Sequence, residues 1–399
     1  MDTTGFVTSM AGKFAVVGAA VVTPDTVLDQ YAVIVEQESI VAVVPESELP
    51  QTLAQHRLDG GYLAPGFIDI HVHGGSRLSF NDASVESFEQ IGRMLLAAGV
   101  TTALPTLSSG PIGVLRRALD VLESVRSGEG LPDFPGMHFE GPYFAVAQRG
   151  AQPPEALRTP DDGSVDILLE RADLIRMISF APELPGSVEL TRRLVNSGII
   201  AAAGHTNGTD EDLARCQQAG LSHVIHVFSG QSTLTRRGPW RVPGMLEASL
   251  VSDGLTVEMI ADGKHLPPAL MRLAYRCLAG NLCVVSDATA GAGLPDGSQF
   301  GMGDHQRVVE NGVGVTVDRT SFAGSTTLLP AMLPIAVAAL GIGIPDAVAM
   351  FTAVPARAAR LDRVGRIAPG LRADLVHLDR DLVAQQIYQR GVWRPCSQL

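Results

Sequence analysis

The sequence predicts a closed (β/α)8, TIM-like barrel with a small β-sandwich domain built from both termini. Three observations predict it. Apolar, strand-like runs recur eight times through the middle of the 399-residue chain. Helical stretches lie between most of them, and strands alternating with helices belong to a parallel sheet. Both ends are instead rich in short β-branched runs broken by turn residues. The chain then divides into 1–62, the N-terminal part of the small β-domain; 63–356, the barrel; and 357–399, the C-terminal part of the small domain.

Composition fits that size. The chain is 46% hydrophobic and 18% charged, an ordinary globular balance with a large core. A net charge of −12 argues against a nucleic-acid surface. It leaves room for an anionic small substrate, which needs only local cations. Cys216, Cys277, Cys283 and Cys396 show no CxxC spacing and read as unpaired thiols of a cytoplasmic protein. The first residues lack a charged region followed by an apolar stretch and cleavage site, so secretion is not expected. The uncharged run Leu328 to Pro345 nears membrane-span length, but it holds Pro330, Pro334 and Pro345 and has no flanking basic cluster. It reads as a buried helix after a turn, and no membrane contact is expected.

Taken in order, the N-terminal strands are expected at Phe14–Val17, Ala32–Val35 and Ile40–Val44. The barrel strands are expected at Phe67–Ile70, Thr101–Leu104, Gly136–Phe139, Met177–Phe180, Ile199–Ala203, His223–Ile225, Thr256–Ile260 and Cys283–Val285. Helices are expected at Ser87–Ala98, Ile112–Val125, Ser187–Asn196, Asp210–Ala219 and Pro268–Cys277. The far end returns to strands and tight turns around Gly365–Gly370, Ala373–Leu378 and Gly391–Trp393.

A barrel enzyme builds its site at the C-terminal ends of its strands. Those ends carry most of the chain's chemistry. The first run ends in His71 and His73, which an extended chain points to one side, because side chains alternate along a strand. Gly74 and Gly75 follow and are expected to let the chain leave at unusual φ. Later ends offer Glu140, His205, His226, Asp262 with His265, and Asp287. Each has a plainer reading. Glu140 or Asp287 would serve as a cap, His205 as a loop histidine, Asp262 as an Asx-turn, and His223 as a packing neighbour of His226. Five of the 10 histidines fall at these ends, and a convergence of imidazoles and carboxylates suits Zn²⁺ or another borderline divalent ion.

The ordered set His71-x-His73, Glu140-Gly141-Pro142, Gly204-His205-Thr206, His226, Ile260-Ala261-Asp262-Gly263-x-His265, Asp287-Ala288-Thr289 and Ala323-Gly324-Ser325 resembles the amidohydrolase superfamily. More narrowly it resembles the N-acetylglucosamine-6-phosphate deacetylase family, over essentially the whole chain. The resemblance implies metal-dependent removal of an acetyl group from an amino-sugar phosphate. It implies that Glu140, His205 and His226 hold a catalytic divalent ion, Zn or alternatively Fe or another ion. His71 and His73 would add a second, with Glu140 bridging. Asp287 would be general base and then general acid. His265 would contact the substrate, polarising its carbonyl or fixing its phosphate side. Arg237 would reach a sugar phosphate, in dimers from the neighbouring subunit, and a homodimer is implied.

Two segments depart from the family pattern. Where the family has Phe-Asn-Ala-Met after the sixth-strand histidine, this chain has Phe228-Ser229-Gly230-Gln231. Where the family has Lys-Gly-Ala-His after Glu140, this chain has Arg149-Gly150-Ala151-Gln152. Gln152, Ser229 and Gly230 therefore stand at positions that contact the substrate in the family. Gln152 can bond a hydroxyl but carries no charge. A paralogue acting on N-acetylgalactosamine-6-phosphate or another N-acyl amine is the alternative, with cyclic-amide opening or deamination on the same scaffold behind it. The strand-four end, Ser179 to Glu183, lacks the lysine that dinuclear cyclic-amide hydrolases carboxylate. A non-enzymatic sugar-binding protein is the remaining class.

Overall fold

The computed structural model describes residues 8–9, 12–302 and 305–397. Eight parallel strands form the centre: β1 Phe67–Val72, β2 Val100–Ser108, β3 Met137–Glu140, β4 Ile175–Phe180, β5 Ile200–Ala203, β6 His223–Val224, β7 Thr256–Ile260 and β8 Leu282–Val285. They neighbour one another in sequence order from β1 to β8. A parallel bridge between Val72 and Ala288 brings the last strand's continuation back onto the first, and His73 N–H donates to the Ala288 carbonyl at 2.8 Å. The sheet is thus a closed barrel. All nine residues of β2 and all six of β1 are buried, as strands covered on both faces must be.

Each strand is followed by a helix: α1 Val85–Ala98, α2 Ile112–Val125, α3 Ser164–Leu169, α4 Ser187–Asn196, α5 Asp210–Gln218, α6 Met245–Val251, α7 Pro268–Leu278 and α8 Met332–Leu340. In α1, Phe88, Ile91 and Leu95 recur at helical spacing and are buried. Ser84 caps its start by accepting from Ser87 N–H, and Gly99 ends it at φ +118°. The short α3 and α6 lie outside the helices expected from the sequence. So does a four-stranded antiparallel insertion between β8 and α8, Gln299–Met302, His305–Glu310, Val313–Thr316 and Phe322–Ser325. Its last strand returns to the barrel rim, where Ser325 N–H donates to the Asp287 carbonyl at 2.8 Å.

The small domain is a sandwich of two sheets. One orders Thr8–Ser9, Val392–Pro395, Ala384–Gln389, Leu375–Leu378, Tyr62–Pro65, Ala20–Val22 and Val27–Leu28, so both ends of the chain share it. The other holds Ser39–Pro45, Tyr31–Glu36, Lys13–Val17 and Ala54–Arg57. Phe14, Val33 and Val35 from one sheet pack on Leu63, Leu375 and Tyr388 from the other. The expected helix after Leu328 is α8, whose Met332, Leu333 and Ala336 are buried. Among the described residues no helix is long and apolar enough to cross a membrane, and the four cysteines are unpaired.

One expectation is corrected. Gly74 and Gly75 do not leave β1 at unusual φ. They form a two-residue strand paired with Leu78–Ser79, and the left-handed residues of that turn are Ser76 and Arg77. Space is what requires glycine there. A Cβ on Gly74 would collide with the Leu78 carbonyl oxygen, and one on Gly75 with the Met94 thioether.

Candidate metal centre and active site

The strand ends converge. Alternation along β1 sends His71 and His73 to the same side, and their Nε2 atoms lie 3.2 Å apart. Glu140, the last residue of β3, sits between the halves of the cluster. Its Oε1 lies 3.0 Å from Nε2 of His205 and 3.0 Å from Nε2 of His226. Its Oε2 faces His73 Nε2 at 3.5 Å. Asp287 Oδ1 lies 3.3 Å from His73 Nε2 and 3.7 Å from His71 Nε2. All six residues are buried.

The backbone pays for this aim with strain. His205, His226 and Asp287 stand at φ +43°, +20° and +46°, in or beside the left-handed region that residues with a Cβ avoid. Each lies just beyond its strand, where the chain must turn to point a side chain across the barrel mouth. At Asp287 the turn is held by its N–H donating to the His71 carbonyl at 2.8 Å.

The outer nitrogens show how the rings are held. His205 Nδ1–H donates to the Gln148 carbonyl at 2.8 Å, His71 Nδ1 faces Glu258 at 2.8 Å, and His73 Nδ1 pairs with Ser108 Oγ at 3.2 Å. Each ring so held presents Nε2 inward. Four Nε2 atoms and two carboxylates facing one another, with outer partners on three of the rings, is the arrangement of imidazole ligands around a cation. The ligand atoms of His71, Glu140 and His226 lie within 4.8 Å of one another, as do those of His71, His73 and Asp287. The residues present fit a divalent ion.

Electrostatics agree with that geometry. Burial works to raise Glu140 and Asp287, but the histidines around them outweigh it and hold both carboxyls below their ordinary values. Burial works to lower His71, but Glu258, Asp287 and Glu140 raise it to about 10.

The remaining expected residues divide. His265 lines the same cavity of about 260 Å³. Its Nδ1 lies 2.8 Å from Asp262 Oδ2, its buried Nε2 has no partner, and its ring packs tilted against Phe322 with centroids 4.7 Å apart. Asp262 also accepts from the Lys264 and His265 N–H groups, so the Asx-turn is real and serves to orient His265. Ser229 and Gly230 line the cavity. A Cβ on Gly230, at φ +58°, would lie 2.7 Å from His205 Nδ1, so this glycine leaves His205 its place as well as forming wall. Gln152 lines the cavity too, but its amide bridges Ser109 N–H and the Glu140 carboxylate. Arg237 is exposed on a hairpin, Thr235–Arg237 with Trp240–Val242, and does not line the cavity.

Two residues escaped the sequence reading. Phe322 comes from the insertion and forms cavity wall. Glu258 lies inside β7 and touches three histidines. A lone carboxylate within an apolar strand was the available signal, since a buried charge needs partners.

Comparison with known proteins follows the same lines. The amidohydrolase family matches residues 62–391, and the NagA composite domain matches residues 13–63. An N-acetylgalactosamine-6-phosphate deacetylase of Shewanella sp. (strain ANA-3) is 35% identical over 82% of this chain and 81% of its own. An N-acetylglucosamine-6-phosphate deacetylase of Haemophilus influenzae is 30% identical over 96% of this chain and 99% of its own. The crystal structure of N-acetylglucosamine-6-phosphate deacetylase from Pasteurella multocida superposes with a TM-score of 0.90 at 29% identity, covering 96% of this chain and all of that one.

Proposed function

Because the chain belongs to the amidohydrolase family, we propose that it removes the acetyl group from an N-acetylhexosamine 6-phosphate, with N-acetylglucosamine 6-phosphate as the substrate. The observation that carries this reading is the pairing of a cation-ready cluster with a carboxylate that lines the same cavity. Glu140, His205 and His226 stand together, and Asp287 lines the same cavity against His73 and His71.

Glu140, His205 and His226 would hold one divalent ion, and His71 and His73 with Glu140 a second. The mixed nitrogen and oxygen donors favour Zn²⁺, with Fe²⁺ or another divalent ion as the alternative. An ion held there supplies Lewis acidity and brings the pKa of water from 15.7 toward about 7. The chain's own residues do the rest. Asp287, ionised because the histidines around it depress its pKa, accepts the proton of the attacking water on a carboxylate oxygen. The same carboxyl then gives that proton to the departing nitrogen as the C–N bond breaks. The products are acetate and an amino-sugar phosphate. His265 Nε2 contacts the substrate, on its carbonyl or its phosphate side, with its ring fixed by Asp262 and Phe322. Ser229, Gly230 and Gln152 form the wall against the sugar.

Arg237 serves the phosphate from a neighbouring subunit in a homodimer. Its exposure on a hairpin outside its own cavity supports that reading. Absence of pairing among the four described cysteines fits a cytoplasmic setting. The division into 1–62, 63–356 and 357–399 is supported by the sandwich that both ends of the chain share.

The galactosamine epimer is the second reading. It is favoured by the 35% identity to the Shewanella relative together with the Ser229-Gly230 and Gln152 departures. Parallel acetate-release assays on the two epimers, with and without the phosphate, decide between them. Turnover of neither phosphorylated epimer by metal-loaded protein contradicts the proposal.

A further inference from the structure

Alternation along β7 puts Thr256, Glu258 and Ile260 on one face of the strand. Glu258 is completely buried, at 0% exposure. Its Oε2 lies 2.8 Å from His71 Nδ1 and accepts the His226 backbone N–H at 3.2 Å. Its Oε1 lies 2.9 Å from His223 Nε2. His223 in turn pairs through Nδ1 with Thr256 Oγ1 at 2.6 Å. One carboxylate therefore gathers donors from β1, from β6 and from the turn beyond β6.

We propose that Glu258 is the positioning residue of the metal centre, fixing which nitrogen of His71 faces the cavity and holding the His226 backbone in the turn that aims its ring at Glu140. The inference rests on the metal-centre reading above and adds a residue to it. A carboxylate only accepts hydrogen bonds, so Nδ1 is the nitrogen of His71 that keeps its proton, and Nε2 is the one left to face the cluster as a ligand. That Nε2 is 3.2 Å from His73 Nε2, 3.7 Å from Asp287 and 3.8 Å from Glu140, so it is the nitrogen placed to serve as a ligand. His226 stands at φ +20°, a conformation disfavoured for a residue with a Cβ, and the bond from its N–H to Glu258 helps hold it there. Glu258 thereby couples a ligand of each half of the centre to one buried anchor, with His223 and Thr256 tying that anchor to the strand behind.

The test is Glu258→Gln in the full chain, freed of metal with a chelator and titrated with Zn²⁺ by calorimetry. Glutamine keeps the shape, but one of its two ends donates. One of His71 and His223 loses its acceptor, and His71 can satisfy the new donor only by carrying its proton on Nε2. The expected result is 10–100-fold weaker Zn²⁺ binding with an unchanged far-ultraviolet spectrum. Thr256→Val, which removes the outer contact of His223 and a bond to the Ser222 carbonyl but leaves Glu258 in place, should bind as the wild type does. Wild-type affinity in Glu258→Gln overturns the proposal, as does an equal loss in Thr256→Val, which would mean that general packing is at work. If Glu258→Gln does not fold, long-range ¹H–¹⁵N spectra of the Zn²⁺-loaded wild type labelled on histidine decide. A proton on Nδ1 of His71 supports the proposal, and one on Nε2 overturns it. A wild type that binds no divalent ion overturns the metal-centre reading itself, which the Glu258 variant alone cannot do.

Discussion

Asp287 Oδ1 lies 3.3 Å from His73 Nε2, which places the only carboxylate at the end of β8 against the first-strand histidine pair. That position beside the cluster, with the cavity above it, gives Asp287 its proposed work as proton acceptor and then donor.

Asp287→Asn preserves shape and removes the proton acceptor. The expected outcome is a fall in kcat of about 10²–10⁴-fold with metal content per subunit unchanged. Elemental analysis and steady-state assays on one sample check both halves. A variant retaining near-wild-type kcat would show that the base is elsewhere.

Metal affinity should rise with pH. Burial works to lower both His71 and His226, but Glu258 beside the first and Glu140 beside the second raise them, His71 to about 10. In metal-free protein the stability these histidines contribute is therefore complete below about pH 6.5 and is lost as pH rises through the folded values. A divalent ion must displace those protons, so its gain in Tm should be small at pH 6 and larger at pH 8. Scanning calorimetry with and without Zn²⁺ checks the sign, and a larger gain at pH 6 would contradict it.

Gly230→Ala should weaken the centre from outside. Its Cβ would stand 2.7 Å from His205 Nδ1, at a backbone angle unfavourable to alanine. His205 would have to give up its bond to the Gln148 carbonyl or move away from Glu140. About tenfold weaker Zn²⁺ binding is expected, an effect the outer-ligand energetics support. Unchanged binding would show that the loop shifts freely.

Arg237→Ala tests the exposed hairpin. If its guanidinium binds the sugar phosphate, KM for the phosphorylated substrate should rise about 10–100-fold, as loss of a charge-assisted contact implies. The unphosphorylated sugar should show little change. Equal effects on both substrates would remove the phosphate from the argument.

These outcomes rest on features of unequal legibility. The barrel could be read because its strands are continuous apolar runs and its long helices repeat at 3.6 residues, as in α1 and α2. The cluster of histidines and carboxylates could be read because strand ends are where such a fold presents chemistry. The insertion from Gln299 to Ser325 was missed because its strands are short and interrupted by glycine. Asn311-Gly312, both at positive φ between Val309 and Val313, is nevertheless a hairpin signal that stood in the sequence. Glu258 was not legible as a partner, because His71, His223 and His226 meet it only once the barrel closes. The bonds of the Gln152 amide to Ser109 and Glu140 were not legible, because they join distant segments.

The most direct test of the account is acetate release from N-acetylglucosamine 6-phosphate and N-acetylgalactosamine 6-phosphate by the metal-loaded protein. The account predicts acetate and free amine in equal amounts from at least one of them, lost on chelation and restored by Zn²⁺. A protein that carries its divalent ion yet releases acetate from neither would contradict it.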